Sequence, residues 1–401
     1  MSHLPLPSRP LGSAPASEDD VVAMVRDAAG PLHTIGNGTK RHLGPAVTGH
    51  ATVVSLRHLS RVTAYEPGDM VVSVQAGARL HELQRMLAQR GQWLPVDPPY
   101  LDATVGGILA TGSNGPRRLG YGSVKDHLIG MRVVNAQGIV TKSGGRVVKN
   151  VTGYDLHKLH VGAFGSLGVI LEAHFKVQPR PELSGAVIFG APDHETAHRL
   201  LLEIWGSPLR PVALELVSAP AAGGLRGLAA GIPPTDALAI VGIEGSRLVF
   251  DRHLRELESW RARASGMTVL RGPGAEGVWT ALRDAPDKRR DEVTVRLGAR
   301  PHELPALLRQ VHAAGAGLQV SVGNGVARAL LRRPAPEVGT LVASWHRAAT
   351  ASGGYAVVES APPELEGRAG LPWTAPGPAL GATLRQAWDP KQVLNPGRIA
   401  L

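Results

Sequence analysis

The pattern of hydrophobic and polar positions changes near residue 180, and this change predicts more than one folded region. Before that point, Leu80, Leu83 and Leu87 fall on one face of an amphipathic helix. Apolar residues then alternate with more polar ones from Val169 to Val177, which predicts a half-buried strand. The loops between the elements of this region are rich in glycine.

After residue 180, strands and helices follow one another in a regular order. The pattern predicts strands near 185–189, 212–218, 238–243, 267–270, 293–297, 317–322, 325–331 and 355–359. It predicts helices near 194–205, 247–262, 302–314 and 338–350, with a helical link near 278–285. Each half of this region therefore has the order βαββαβ, the ferredoxin-like arrangement. Two such units could pair their sheets into one continuous cap.

The chain has 401 residues, which suggests two or three domains. We expect a flexible leader at 1–20, which is rich in Pro and Ser and lacks the apolar segment of a signal peptide. A ligand-binding domain is expected at 21–180 and a cap domain at 181–375. The tail at 376–401 contains an Asn-Pro-Gly turn signal, and we expect it to return to the first domain.

Two clusters of glycine dominate the first domain. One runs from Thr104 to Gly115 and the other from Gly162 to Ile170. Glycine has no Cβ, so its backbone can approach a ligand closely. Two such clusters with strands between them indicate a large flat ligand threaded through backbone, for which a dinucleotide is the natural candidate. The alternative is a set of tight turns in a glycine-rich chain.

A third glycine-rich loop, Gly36 to Lys40, follows a predicted strand end. Successive backbone N–H groups in such a loop form a nest that binds anions. The loop lacks the spacing of a P-loop, and Arg41 stands where the Rossmann fingerprint needs its third glycine. Taken alone, the loop predicts an anion site and a plain hairpin turn equally well.

Composition excludes several classes of function. The chain has no cysteine, so it holds no disulfide and no Cys-ligated iron–sulfur cluster, and electrons from any redox reaction must leave to oxygen, a quinone or another protein. The formal charge of +10 is scattered and aromatic residues make up only 4%, which argues against nucleic acid as the main partner. No apolar run is long enough to span a membrane.

Several motifs together resemble the vanillyl-alcohol-oxidase type of FAD-binding oxidoreductases, whose FAD domain is called PCMH-type. Within that family the chain is most similar to the FAD-binding E subunit of bacterial glycolate oxidase. The resemblance covers the first domain and the tail well, and the cap only in its element order. The motifs that carry it are Asp97-Pro98-Pro99, Thr104–Gly107, Gly112–Arg118, Gly122-Ser123 with Asp126, Lys149–Leu156, Gly162–Ile170, Asp389-Pro390-Lys391 and Asn395–Arg398.

This resemblance implies an α+β fold with a two-subdomain PCMH-type FAD-binding domain and a cap of two ferredoxin-like βαββαβ units. It also implies an FAD cofactor. We predict that the FAD is non-covalent, because the first loop has Lys40 and His42 falls outside the expected attachment point. The positions implied to bind the cofactor are Gly36, Asn37, Gly38, Thr39, Lys40, Pro98, Thr104, Gly106, Gly107, Gly112, Ser113, Gly122, Ser123, Gly165, Gly168, Val169, Ile170 and Asn395.

Oxidation of a 2-hydroxy acid needs a cation for the carboxylate, a base for the hydroxyl proton and the flavin for the hydride. Arg296 and Arg328 are candidate carboxylate contacts, and Tyr154 is a candidate neighbour of the flavin. Ordinary surface or packing roles remain open for all three. The cap motif with two histidines found in related dehydrogenases is absent, so we predict neither a metal site nor a particular catalytic base.

The resemblance implies an FAD-binding subunit of a glycolate oxidase-type 2-hydroxy-acid dehydrogenase complex. It would work with a second flavin subunit and an iron–sulfur subunit and pass electrons to an external acceptor. We expect it in the cytoplasm, peripheral to the inner membrane through its partners. A stand-alone FAD-dependent dehydrogenase of another hydroxy acid or alcohol is the alternative, and a structural subunit that has kept the fold is a third reading.

Overall fold

The computed structural model describes residues 12–44, 50–146, 153–219, 221–229, 231–285, 292–331, 335–362 and 379–398. The chain divides into two compact units. Unit 1 contains Met1–Asn114, Ser123–Arg180 and Gly377–Leu401, and unit 2 contains Gly115–Gly122 and Pro181–Pro376. The segment 149–152, which is part of one motif behind the family resemblance, lies outside the described residues.

In chain order, the described strands are β1 (Leu32–Ile35), β2 (Thr52–Ser55), β3 (Val62–Glu66), β4 (Val71–Gln75), β5 (Gln92–Trp93), β6 (Leu128–Val134), β7 (Val140–Gly144), β8 (Val169–Lys176), β9 (Gln178–Pro179), β10 (Leu183–Ala191), β11 (Ala213–Ser218), β12 (Ala237–Gly245), β13 (Met267–Arg271), β14 (Val293–Gly298), β15 (Gly317–Ser321), β16 (Val326–Leu331) and β17 (Tyr355–Ser360).

The described α-helices are α1 (Glu18–Arg26), α2 (Leu80–Ala88), α3 (Val105–Thr111), α4 (Arg118–Tyr121), α5 (Val124–His127), α6 (His194–Trp205), α7 (Gly223–Arg226), α8 (Arg247–Glu258), α9 (Pro273–Asp284), α10 (Leu304–Ala313), α11 (Ala335–Ala351) and α12 (Ala379–Trp388). Short 3-10 helices form at Leu156–His160, Arg261–Arg263 and Val322–Asn324. Among the described residues, no helix combines the length and the apolar character needed to cross a membrane.

Unit 1 is built on an antiparallel sheet of order β3-β4-β8-β6-β7 and on the parallel pair β1-β2. The strand β8, predicted to be half-buried, is buried on both faces. Its polar residues tolerate burial because each has a partner. Glu172 accepts a hydrogen bond from Arg132 at 3.0 Å, and the His174 imidazole contacts the Ser73 hydroxyl at 2.8 Å.

Two features at the start of unit 1 differ from the prediction. The expected leader reached residue 20, yet Ser13 pairs with Val54 and α1 begins at Glu18. The helix starts there because Ser17 and Asp20 form a capping box, which satisfies free N–H groups of the first turn. The edge strand β3 was not predicted, since most of its side chains are exposed and its sequence has little apolar alternation.

Unit 2 contains one eight-stranded sheet of order β13-β10-β12-β11-β15-β16-β14-β17. Strands β10–β13 form a first half-sheet and β14–β17 a second half-sheet, each with the order βαββαβ, and antiparallel pairing of β11 with β15 joins them. The predicted fold class is confirmed, and the two half-sheets form one sheet. Helices α6, α8, α10 and α11 pack their apolar residues on one side of this sheet, the helical face.

On the opposite face, α7 and α9 pack against the first half-sheet. Helix α9 was predicted only from residue 278, but it begins at Pro273, which suits the first helical turn because proline has no N–H to satisfy. The segment Gly115–Gly122 is fixed to this unit by Arg117. Its side chain is 9% exposed and donates to Glu244 at 2.8 Å, and it also pairs with Glu276.

Candidate FAD-binding site

A cleft in unit 1 opens where β1 ends. The loop after β1 reaches the start of α3, and a Cβ on Gly36 would lie 2.0 Å from the Thr104 hydroxyl oxygen. Only glycine allows this close approach. The cleft is lined by His33, Thr34, Ile35, Gly36, Asn37, Gly38, Thr39, Lys40, Arg41, Thr104, Gly107, Ala110, Thr111, Phe164, Asn395 and Arg398.

The loop presents a row of open backbone donors. Within the described residues, the N–H groups of Gly36, Asn37, Gly38 and Thr39 donate to no protein acceptor. Gly38 has φ of 72°, in the left-handed region that brings successive N–H groups to one side of a loop. This arrangement fits a phosphate or pyrophosphate, which accepts several N–H bonds at once.

The loop side chains hold the proline-rich connector beside the cleft. Lys40 is buried, its ammonium donates to the Pro99 carbonyl at 3.0 Å, and it lies 4.7 Å from the centre of the Tyr100 ring. The Asn37 amide donates to the Asp102 carbonyl at 3.0 Å. Lys40 therefore stabilises the wall of the cleft in addition to contributing a positive charge.

The cleft is cationic. None of its lining residues within the described ranges is acidic, while Lys40, Arg41 and Arg398 all line it. Burial lowers the pKa of His33 to about 4, and the charges of Arg398 and Arg41 add to this effect. His33 is therefore neutral at pH 7, and the positive charge of the lining comes from Lys40, Arg41 and Arg398, which suits a dianionic pyrophosphate.

The first glycine cluster forms a helix, α3, where the sequence had suggested backbone running along a ligand. Thr104 caps it by accepting from the Gly107 N–H at 3.2 Å, and Gly112 ends it with φ of 59°. A Cβ on Gly106 would lie 2.8 Å from that of Ala76, so Gly106 serves helix–strand packing. Of this cluster, Thr104 and Gly107 line the cleft, together with Ala110 and Thr111.

The tail closes the cleft beside β1. Asn395 is buried, and its side-chain oxygen accepts from the Thr34 N–H at 3.0 Å. Its amide nitrogen donates to the Thr34 hydroxyl at 2.8 Å and to the Gly165 carbonyl at 3.0 Å. Arg398 donates to the Arg41 carbonyl at 3.1 Å. Asn395 thus connects the tail, β1 and the second glycine cluster.

The structure brings part of the predicted set together. Asn395 and the loop Gly36–Lys40 line the cleft with the start of α3. Sequence analysis did not single out His33, Arg41, Ala110, Thr111, Phe164 or Arg398 as cofactor contacts. The available signal was the Asn-Pro-Gly-Arg motif, since it carries Arg398. The remaining predicted positions lie outside the lining: Pro98, Gly106, Gly112, Ser113, Gly122, Ser123, Gly165, Gly168, Val169 and Ile170.

Some of these remaining positions have other visible roles. Ser123 caps α5 through Asp126, whose carboxylate accepts from its N–H at 2.7 Å and its hydroxyl at 2.8 Å. Gly122, with φ of 86°, belongs to unit 2. A Cβ on Gly168 would lie 3.1 Å from the His160 ring, so this glycine makes room for an imidazole.

The candidate substrate residues lie on different surfaces. Tyr154 is 90% exposed in unit 1. Arg296 on β14 and Arg328 on β16 are directly paired across the second half-sheet of unit 2. Arg328 binds Glu359 through two hydrogen bonds of 2.6 and 3.2 Å, a partner that sequence analysis did not identify. Among the described residues, no group of three or more His, Cys, Asp or Glu side chains is placed to hold a metal.

Comparison with known proteins agrees with this geometry. Residues 13–144 match the family model of an FAD binding domain. The chain is 40% identical over 156 residues to the glycolate oxidase subunit GlcE of Escherichia coli (strain K12), covering 38% of this chain and 44% of that protein. It is 28% identical over 262 residues to the glycolate oxidase subunit GlcD of Bacillus subtilis (strain 168), covering 64% of this chain and 56% of that protein.

The chain thus spans about half the length of these curated relatives. A solved structure of alkyldihydroxyacetonephosphate synthase shares the fold with a TM-score of 0.70 at 22% identity, over 96% of this chain and 75% of that one. The chain therefore carries an FAD-binding domain with the PCMH-type fold, and its cofactor is FAD. The donors of the cleft fit this cofactor, since they are backbone amides and cations suited to a pyrophosphate.

Proposed function

We propose that this chain is an FAD-binding subunit of a 2-hydroxy-acid dehydrogenase complex of the glycolate oxidase type. The observation that carries the proposal is the cationic cleft with four open amides, which supplies the site for the FAD pyrophosphate. Bound FAD would accept the hydride of a hydroxy acid, and the protein would hold and orient both. The glycolate class comes from the relatives GlcE and GlcD, which are glycolate oxidase subunits.

Arg296 is the better of the two candidate carboxylate contacts. Its Nε has no hydrogen-bond partner within the described residues, and its guanidinium lies 5.6 Å from the centre of the Tyr355 ring. Arg328 is already neutralised by Glu359. A carboxylate gains most from a guanidinium that is not paired inside the protein.

Partner subunits are also part of the proposal. The chain has no cysteine, so a Cys-ligated iron–sulfur cluster would belong to another subunit, and a second flavin subunit could supply the catalytic base. The strand β7 is an edge of its described sheet, and Val140 at its start and Ile139 just before it are 40% and 58% exposed. An unpaired sheet edge with exposed apolar residues at one end suits protein contact. The proposed complex is cytoplasmic and reaches the inner membrane only through its partners.

The test is an anaerobic absorbance titration of the purified, FAD-loaded chain with glycolate and with D-lactate. Under the proposal, the flavin bands stay oxidised with the chain alone and bleach when the second flavin subunit is added. Bleaching of the chain alone by either acid would favour the alternative below. Failure to retain flavin after reconstitution would contradict the FAD site itself.

A stand-alone FAD-dependent dehydrogenase of another hydroxy acid or alcohol is the second candidate. The buried Nε of Arg296, unpartnered among the described residues, favours it, because a chain that only relays electrons has no need of a carboxylate contact that this atom could serve. Under this alternative, Arg296→Met raises KM for the hydroxy acid about tenfold or more, since a charge-assisted hydrogen bond contributes roughly 1.5–3 kcal/mol. Arg300→Met, which alters an exposed ion pair with Glu303, is the matched control and leaves KM unchanged.

The FAD is proposed to be non-covalent. His42 lies outside the cleft lining and its Nε2 is 2.6 Å from the Tyr100 hydroxyl, which leaves it engaged with the connector. Acid precipitation of the holoprotein should therefore release the yellow colour into the supernatant. A pellet that stays yellow after washing would indicate a covalent bond.

A further inference from the structure

A second cavity of unit 1 shares no lining residue with the FAD cleft. It lies between the β6–β7 hairpin, the 3-10 helix Leu156–His160 and the end of α12, and its volume is about 240 Å³. A dry protein cavity of roughly 150 Å³ is enough to bind benzene. The present cavity is therefore large enough for one or two fused rings.

The walls of this cavity are mostly apolar. Met131, Val133 and Leu167 are buried and line it, while Leu156 is 46% exposed. Leu156 therefore lies at the mouth, and the buried side chains form the floor. Such a lining favours a ligand with a substantial apolar surface.

His160 gives the cavity a hydrogen-bonding group. It lines the cavity and is 7% exposed. Burial lowers the pKa of His160 to about 4, with a smaller contribution from His157, so the ring is neutral at pH 7. A neutral imidazole has one N–H donor and one acceptor nitrogen. Either nitrogen can therefore bind the polar edge of a ligand.

Lys142 is the charged residue of the lining, and the alternation of side chains along β7 places its ammonium group on the sheet face away from the cavity. Lys142 pairs with Arg132 across β6 and β7, so their side chains share one sheet face, and there Arg132 bonds Glu18. Met131 points to the other face, which is the cavity side. Burial lowers the pKa of His157, whose Nδ1 is 3.1 Å from the Ser143 hydroxyl. A charged ligand would lose its hydration without compensation here.

Trp388 supplies an aromatic surface. Its ring centre lies 6.0 Å from that of His160, with 34° between the planes, so the two rings form one continuous wall. Gln137 donates to the Trp388 carbonyl at 3.2 Å and fixes the end of α12 against the hairpin. A planar ring would stack on the indole while its polar edge meets the imidazole.

We propose that this cavity is a second ligand site, which binds an uncharged planar ring of one or two fused cycles carrying a carbonyl or ring nitrogen. Trp388 is its stacking surface and His160 its hydrogen-bonding group. Two sources have this chemistry: a quinone ring and a free nucleobase. The proposal does not depend on the reaction of the flavin, so the two can fail separately.

The test uses the full FAD-loaded chain and isothermal titration calorimetry at pH 7.5. The probes are 1,4-naphthoquinone, adenine and the charged ring 2-naphthoate, and the absence of cysteine means that the quinone meets no thiol. We expect one site per chain for naphthoquinone or adenine, whichever is the natural class, and at least about tenfold weaker binding of naphthoate.

Two variants and one control complete the test. His160→Phe keeps a planar ring but removes both nitrogens, and Trp388→Leu removes the stacking surface; each should weaken binding about tenfold or more. His198→Phe changes another buried imidazole, located in unit 2, and should leave binding unchanged. Circular dichroism checks that each variant is folded. If His160→Phe does not fold, the binding measured with Trp388→Leu tests the site.

Several outcomes would overturn the proposal. One is a failure of both naphthoquinone and adenine to bind at millimolar concentration. Another is binding of 2-naphthoate that is as tight as that of the neutral rings. Binding that survives both variants places the ring elsewhere. Binding only to FAD-free protein would make the cavity part of the cofactor site.

Discussion

The two half-sheets of unit 2 have the same element order and share the helical face, yet their opposite faces differ. In the first half-sheet this face carries Ala186, Ile188 and Ile240, which pack on Trp279 of α9. In the second half-sheet it carries Arg296 and the Arg328–Glu359 pair. The repeated order therefore supplies the scaffold, while the face opposite the helices carries apolar packing in one half-sheet and a charged pair in the other.

The apolar face of the first half-sheet should be the more sensitive to truncation. Trp279 is 1% exposed and packs against Leu225, so Trp279→Ala should lower the free energy of unfolding by about 3–5 kcal/mol. Urea denaturation measures the change. Trp205→Ala, at a position 42% exposed, is the matched control and should cost far less.

In the second half-sheet, stability should depend on charge pairing. Glu359→Gln leaves the Arg328 guanidinium with a neutral partner at a site where the two side chains are only 24% and 14% exposed. We expect a loss of about 2–4 kcal/mol in unfolding free energy. The same change at Glu303, whose partner Arg300 is 67% exposed, should cost less than about 1 kcal/mol. Equal losses would remove the distinction between the two sites.

The helices on the face that both half-sheets share should make the free energy of unfolding depend on pH. Burial lowers the pKa of His194, on α6, and the charge of His312, on α10, adds to this; burial also lowers that of His198. Because the folded state holds these rings neutral, the unfolded state binds more protons below its pKa of about 6.5. The contribution of these neutral rings to the free energy of unfolding is therefore fully present above that pH and decreases as the pH drops below it.

We expect a loss on the order of 1 kcal/mol between pH 7 and 5 from this cluster. Urea denaturation over that range measures it, and His198→Gln should flatten the dependence. A profile that is identical in the variant and the unmodified chain would show that His198 does not contribute.

The smallest expected change in stability concerns two threonine hydroxyl groups, one on each half-sheet. Thr294 is fully buried and its hydroxyl has no partner within the described residues, whereas Thr268 donates to the Gly231 carbonyl. Thr294→Val should therefore be neutral or stabilising by about 1 kcal/mol, and Thr268→Val destabilising by a similar amount. Thermal unfolding of both variants tests the contrast. Destabilisation by both would mean that the Thr294 hydroxyl is satisfied.

The sequence predicted the strands of unit 2 well because they have a clear two-sided pattern. In β14, for example, Val293, Val295 and Leu297 face the core while the residues between them do not, and β10 and β12 have long apolar runs. Such patterns depend on neighbours along the chain, so they can be recognised without the fold. The same reasoning located β8 but missed its full burial, because the partners of the buried Glu172 and His174 lie on other elements.

The candidate FAD site was predicted in part for a similar reason. The loop Gly36–Lys40 was recognised because a nest is a local property of consecutive residues. His33, Phe164 and Arg398 were not assigned to the cofactor, since only the packed chain brings three distant segments to one cleft. The role of Gly168 also needed the fold, because the ring it accommodates belongs to the 3-10 helix.

The sequence by itself determined the βαββαβ order, the glycine-rich loops and the absence of cysteine, since these are properties of local pattern and composition. Only the tertiary structure decided that Asn395 connects the tail to β1, that Arg328 is neutralised by Glu359, and that His160 faces a second cavity. Each of these depends on a contact between segments far apart in the chain. The free energy of such contacts comes from burial and complementary hydrogen bonding, which no single segment contains.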